Sequence, residues 1–268
     1  MKNILSLLVL FSLITISPQH AFSAESISCW FPPSWSSKIE KAEKITKALS
    51  EKSGIQVRPR IAKSYPEILT SFATGENSLV YVGSFVQAII KARGLGAPLV
   101  QSVNGKELYS GVLVYPKGQD PVAILKISPS KIAYAIGASS GESTAKAATE
   151  GKASIGTKSH SASVAAIKAG VAKAAVVKNW WWEANKNNYP NMEVYNVPSC
   201  SKIGNPDNVL TASHALTKEE KEKIIAAAMQ SKDAFGADSM RIFPKDTLMF
   251  SLWLMKKGGI DPDTYSWE

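Results

Sequence analysis

The segment Gly137-Ala138-Ser139-Ser140-Gly141-Glu142-Ser143-Thr144 crowds hydroxyls and glycines into one short stretch. Lys131 to Ile136 ahead of it alternates and ends apolar, as a short buried strand does. The residues after it turn alanine-rich and helical. Strand, glycine-serine loop and helix start together present backbone N–H groups and hydroxyl donors to an anion. The same residues spell G-x-S-x-G, the strand-to-helix elbow that would make Ser139 a nucleophile. A nucleotide P-loop is excluded, because the glycines stand one residue too close and Glu142 occupies the place of the required lysine. A serine-rich helix cap with no ligand is the remaining reading. A hydrolase also needs an acid and then a histidine later in the chain. Asp207 and His214 come in that order, but only seven residues apart. No HGGG-type segment precedes Ser139, so the hydrolase is a remote alternative.

The elements around this loop begin after a leader. Lys2 precedes an apolar run from Ile4 to Ile16, and Ala21-Phe22-Ser23-Ala24 is an A-x-A-like cleavage site. Residues 1–24 are therefore expected to be a signal peptide that sends the chain to the periplasm. The run is too short to span a membrane comfortably. The 268 residues carry a formal net charge of +9. Lys38, Lys41, Lys44, Lys47 and Lys52 are interleaved with Glu40, Glu43 and Glu51, which reads as a solvated helix face and not a nucleic-acid patch. In an oxidising compartment the pair Cys29 and Cys200 is expected to form a disulfide, with free thiols or a soft-metal site as alternatives. With no C-x-x-C and three histidines, no metal or cofactor is expected.

Strands are expected at 26–31, 55–61, 79–82, 99–102 and 109–115, with helices at 38–53, 65–74 and 84–93 between them. After a composition break at Pro116–Pro121 the alternation restarts. Strands follow at 131–136, 153–156, 174–177, 193–197 and 208–212. Helices follow at 161–170, 180–187, 217–234 and 245–257, the third of these opened by a Thr217/Glu220 capping box. The order implies an α/β fold of two lobes, each a mostly parallel sheet flanked by helices and joined by two crossing segments. Lobe 1 takes 25–116 and 205–268, and lobe 2 takes 117–204. A ligand would lie between them at the C-terminal ends of the strands.

Several stretches then stand in a familiar order. They are Tyr65 to Gly75 leading to Leu79-Val80-Tyr81-Val82-Gly83; Tyr109 to Tyr115; Gly137 to Thr144; Ser159-His160-Ser161-Ala162-Ser163; and Ala165 to Gly170 leading to Ala174 to Val177. The set resembles the type 2 periplasmic solute-binding proteins, and within them the phosphonate/phosphate/phosphite branch that serves ABC importers. The resemblance implies a binding protein and not an enzyme, working as a monomer with a membrane permease as partner and a small anion as ligand. It implies Ser139, Ser140, Ser143 and Thr144 as the oxyanion cradle, assisted by His160 and by the hydroxyls of Tyr65 and Tyr109. Where the family ends a strand in an acidic residue facing the cleft, this chain has Lys178 and Asn179. That favours a plain oxyanion, or a ligand with a second acidic group, over an aminoalkyl phosphonate. Glu142 inside the cradle conflicts with an anion unless it points away. Trp180, Trp181 and Trp182, with Trp30, Phe31 and Trp35, raise an aromatic or quaternary-amine ligand as the alternative.

Overall fold

The computed structural model of the chain describes residues 26–266; the expected signal peptide at 1–24 lies outside the described residues. Strand β1 (Ile27–Phe31) alternates buried and half-buried residues and stops at Pro32. Helix α1 (Ile39–Ser53) buries Ala42, Ile45 and Leu49 along one face and ends where Gly54 takes the left-handed conformation. Strand β2 (Val57–Ile61) holds Pro59 at a sheet edge, where a missing N–H costs no ladder bond. Helix α2 (Tyr65–Ala73) is capped by Ser64, and strand β3 (Ser78–Val82) is buried throughout. Helix α3 (Ser84–Ala92) and strand β4 (Gly96–Val103) follow. Next come the short β5 (Leu108–Tyr109) and β6 (Gly111–Pro116).

The second half continues with α4 (Pro121–Ile127), capped by Asp120, and β7 (Ile132–Ala135). A π-helical turn over Ser139–Ser143 leads into α5 (Thr144–Ala148). Then come β8 (Ile155–Thr157), α6 (His160–Lys168), β9 (Ala174–Lys178), α7 (Asn179–Asn185) and β10 (Met192–Tyr195). The return passes through β11 (Asn205–Pro206) and β12 (Val209–Ser213) to α8 (Lys218–Met229), which carries the expected Thr217/Glu220 capping box. The helix expected to run to 234 stops here, and Ser231 Oγ donates to the Ala227 carbonyl at 2.6 Å. Helix α9 (Lys232–Phe235), β13 (Ser239–Ile242) and α10 (Met249–Lys257) complete the chain.

The strands form a six-stranded sheet in the order β13-β4-β12-β3-β1-β2 and a five-stranded sheet in the order β10-β6-β9-β7-β8. Parallel pairing holds where helices alternate with strands, at β1–β2, β1–β3, β7–β8 and β7–β9. Strands next to the crossings, β6 and β12, pair antiparallel with their neighbours. Apolar clusters cover both faces of each sheet. Ile45, Leu49, Ile224 and Phe235 belong to one cluster of the first sheet; Ile68, Phe72, Phe85 and Ile89 belong to the other. Helix α10 serves both halves: Met255 packs with the first sheet's cluster and Leu254 with the second's.

Two expectations need correction. Residues 111–116 hydrogen-bond to β9 and β10, so this strand stands in the second sheet and not with the strands of the first. The expected disulfide is not formed. Cys29 and Cys200 are both free and buried, in different apolar clusters. Cys29 lies inside β1 facing the first core, while Cys200 packs in the second core and accepts from Lys257 Nζ at 3.7 Å. The two thiols therefore do not meet at a cleft to hold a soft metal.

Candidate functional site

Helices α2, α3 and α6 and the π turn before α5 all begin in one place. Tyr65, Ser84, Ser139 and His160 are at or near their first residues. A Cβ built on Gly137 would lie 2.7 Å from Tyr65 Cβ, so Gly137 is required both for this approach and for its positive φ of 71°. Ser84 Oγ donates to Ser139 Oγ at 2.9 Å, and Ser140 Oγ stands 3.5 Å from His160 Nε2. Each helix start directs N–H groups and the positive end of its dipole at this junction. The strands feeding it are β2, β3, β7 and β8, all at their C-terminal ends.

The hydroxyls form a directed chain. Tyr109 Oη lies 3.0 Å from Ser84 Oγ, and Ser84 donates onward to Ser139, which leaves the Ser139 proton for an acceptor that enters the site. Gly83 makes room for this, because a Cβ there would meet Tyr109 Oη at 3.0 Å and Asp207 Oδ1 at 3.2 Å. Asn205 Oδ1 accepts from Ser251 at 2.8 Å and lies 3.4 Å from Ser84 Oγ. Among the described residues, the buried side-chain polar atoms with no hydrogen-bond partner are Trp30 Nε1, Ser143 Oγ, His160 Nδ1 and Asn205 Nδ2. An unsatisfied buried polar group costs about 1–3 kcal/mol. Three of the four, on Ser143, His160 and Asn205, belong to residues of this junction, where an entering ligand would supply the partners.

Other expected residues have different duties. Thr144 Oγ1 donates to the Ser139 carbonyl at 2.7 Å and packs where a Gly111 side chain would stand, so its proton is committed inside the loop. Asn179 Oδ1 accepts from Ser110 N at 3.1 Å and its own N–H donates to the Ser110 carbonyl, which ties β9 to the crossing. Lys178 ion-pairs with Asp207 and lies 4.3 Å from the Tyr109 ring centre. Glu142 is 3% exposed and turned back from the cradle, accepting from Gly137 N at 2.8 Å and pairing with Lys146 at 3.1 Å. Its conflict with an anion is thereby removed.

Ser84, Asn205 and Asp207 also stand at this junction and were not among the expected ligand contacts. Ser84 follows Gly83 at a strand-to-helix junction, the same local signal as Ser139, and could have been found that way. Asn205 and Asp207 carry no local signal. The hydrolase arrangement is absent. Asp207 and His214 lie beyond opposite ends of the five-residue β12, a strand that alone spans roughly 17 Å at about 3.4 Å per residue. His214 is exposed, with Nδ1 3.0 Å from the Leu95 carbonyl. The aromatic residues do not gather into a cage either. Trp35 stacks on Phe31 inside the first core, Trp182 is buried against Tyr189, and Trp180 donates to the Leu108 carbonyl. Trp181 stands beside His160, with ring centres 6.0 Å apart, and Trp30 packs partly buried against the first sheet's core with an unpartnered Nε1.

Burial, and then the charge of Lys178, push the His160 imidazole down to about 3. Burial, and then the charge of Asp207, push the Tyr65 and Tyr109 hydroxyls up. The tyrosines are thus neutral donors and His160 is neutral above its lowered value. Between pH 3 and the ordinary histidine value near 6.5, the unfolded chain binds the proton that the folded chain refuses. Stability therefore falls as pH drops below about 6.5, by at most about 1.4 kcal/mol per pH unit from this group. Thermal unfolding across pH 4.5–7.5 should show that slope reduced in His160→Gln; an unchanged slope would assign the acid sensitivity elsewhere.

The family described as "ABC transporter, phosphonate, periplasmic substrate-binding protein" matches residues 31–247. Comparison with curated protein sequences finds no match. Among solved structures, PhnD1 of Prochlorococcus marinus in complex with methylphosphonate is similar at 16% identity and a TM-score of 0.67, covering 87% of this chain and 98% of that one. A binding protein component of an ABC phosphonate transporter from Pseudomonas aeruginosa is similar at 17% identity and a TM-score of 0.66, covering 87% and 88%. A Xanthomonas citri protein bound to ATP is similar at 10% identity and a TM-score of 0.67, covering 88% and 97%. At these identities the likeness establishes the two-lobed α/β fold.

Proposed function

Because the chain belongs to the phosphonate periplasmic substrate-binding proteins of ABC transporters, we propose that it captures a small phosphonate- or phosphate-like oxyanion at the junction of its two sheets and delivers it to a membrane permease. The observation that carries this reading is the set of unpartnered buried groups, Ser143 Oγ, His160 Nδ1 and Asn205 Nδ2, at the meeting point of several helix starts. Hydroxyls and N–H groups at helix starts stabilise an oxyanion without burying many full charges. The ligand contacts assigned are Ser139, Ser140, Ser143 and His160, with Tyr65 and Tyr109 lining the opposite side. Thr144 and Asn179 brace the loop and the crossing. Lys178 sets the charge of the site, balanced by Asp207.

The two halves divide near 108–110 and 205–207, where β5 pairs with β11 in a two-stranded ribbon between the sheets. Ligand contacts on both halves favour the closed arrangement, which is the state a permease would read. The chain acts in the periplasm as a monomer after export through residues 1–24. Among the described residues no helix is long and apolar enough to cross a membrane.

The test is calorimetry and tryptophan fluorescence with methylphosphonate, phosphite, inorganic phosphate and sulfate. At least one of the phosphorus oxyanions should bind saturably and raise the unfolding temperature. Ser139→Ala should weaken that binding about 10–100-fold, the worth of one hydrogen bond to a charged group. No response to any of these anions would overturn the reading.

A further inference from the structure

The ligand loop is held from behind by the C-terminal end of the chain. After α10, Arg93, which follows the last residue of α3, fastens the tail by two bonds, Nε to the Pro262 carbonyl at 3.0 Å and Nη2 to the Tyr265 carbonyl at 2.6 Å. The Tyr265 ring packs edge-on against Phe85 of α3, with centres 5.1 Å apart. Its hydroxyl then reaches the loop and donates to Glu142 Oε2 at 2.9 Å. The same oxygen accepts from Gly137 N at 2.8 Å, and the other oxygen pairs with Lys146. Behind this contact, Gly258 at the end of α10 sits so close to α5 that a Cβ would lie 2.8 Å from Lys146 Cβ and 2.9 Å from Ala147 N.

Each end of α3 therefore addresses the loop. Its first residue, Ser84, bonds Ser139 directly, and Arg93 just past its last residue reaches Glu142 through the tail. Helix α3 packs on the first sheet and the loop belongs to the second, so the tail links the two halves. A buried carboxylate in an anion site is costly unless its hydrogen bonds do something specific. Here they fix the turn at Gly137, the residue on which the close approach of Tyr65 depends.

We propose that Glu142 and Tyr265 are positioning residues for ligand capture, and that the tail at 261–266 is a strap holding the ligand loop in its closed position. This rests on reading residues 137–144 as the ligand loop. The burial of the Tyr265 hydroxyl and the charge of Glu142 keep the phenol protonated and donating.

Tyr265→Phe removes one hydroxyl and leaves the ring packed on Phe85. In the ligand-free protein, amide hydrogen exchange over 137–144 should quicken about tenfold, with the β1 and β3 amides unchanged. With methylphosphonate, the dissociation rate should rise about tenfold while the association rate stays within twofold, because a strap acts on the closed state. Glu142→Gln keeps an acceptor for both Gly137 N and Tyr265, so its loop exchange should stay within threefold of the parent. Glu142→Ala should match or exceed Tyr265→Phe. Unchanged loop exchange in Tyr265→Phe, or a Glu142→Gln variant as loose as Glu142→Ala, would overturn the proposal. If the parent protein binds none of the phosphorus oxyanions, the proposed function fails. The exchange measurement still decides the strap.

Discussion

Replacing Lys178 with alanine is expected to weaken methylphosphonate binding by about 100-fold. The Lys178 ammonium pairs with Asp207 at the end of β9, with side chains 22% and 18% exposed. Asp207 also stands against Gly83, beside Ser84 and Tyr109. Without Lys178, the incoming anion faces an uncompensated carboxylate. At roughly 6 Å and an effective dielectric near 20, that repulsion is about 3 kcal/mol, or about two decades in affinity. The neutral Asp207→Asn variant should lose much less, because the remaining ammonium still favours the anion. Folding should follow the same order, with Lys178→Ala losing about 1–3 kcal/mol for a half-buried pair broken from one side. Titration calorimetry on both variants separates these outcomes. A Lys178→Ala protein that binds within threefold of the parent would remove Lys178 from the site.

Gly141→Ala is expected to damage both the fold and the ligand loop. Its added methyl carbon would lie 2.7 Å from the Ala135 carbonyl oxygen and 2.9 Å from Ala135 N. Both are backbone atoms of β7, which is clamped between β8 and β9, so neither can give way cheaply. The loop must lift off the strand, carrying Ser139 and Ser140 away from Ser84 and His160. Overpacking of this kind costs about 3 kcal/mol. In a chain of this size that lowers the unfolding temperature by roughly 6–12 °C, and methylphosphonate binding should be lost. Gly118→Ala is the control: it has a positive φ of 82° but nothing within 4 Å, so it should cost about 1 kcal/mol and leave binding intact. A Gly141→Ala protein melting within 1 °C of the parent would refute the steric account.

The sequence alone determined what depends on neighbours along the chain. The strand at 131–136, the glycine-serine turn after it and the Thr217/Glu220 cap are each specified within a few residues, and each formed where expected. The position of Ser139, Ser140 and His160 at strand-to-helix starts was legible for the same reason, since that type of junction is written locally. Helix α4 and strand β13 are short, and one or two turns of pattern do not rise above background.

What only the tertiary structure decided is set by pairing across long sequence separations. The sheet that takes 111–116 depends on hydrogen bonds to β9 and β10, which no local pattern specifies. The even cysteine count suggested a bond, but each thiol faces a different core. Lys178 was legible as a cation, but not its pairing with Asp207. Glu142 looked like a charge inside an anion cradle until Gly137, Lys146 and Tyr265 accounted for its oxygens. A side chain's charge is a property of its type, whereas the field it produces depends on partners that folding brings from elsewhere in the chain.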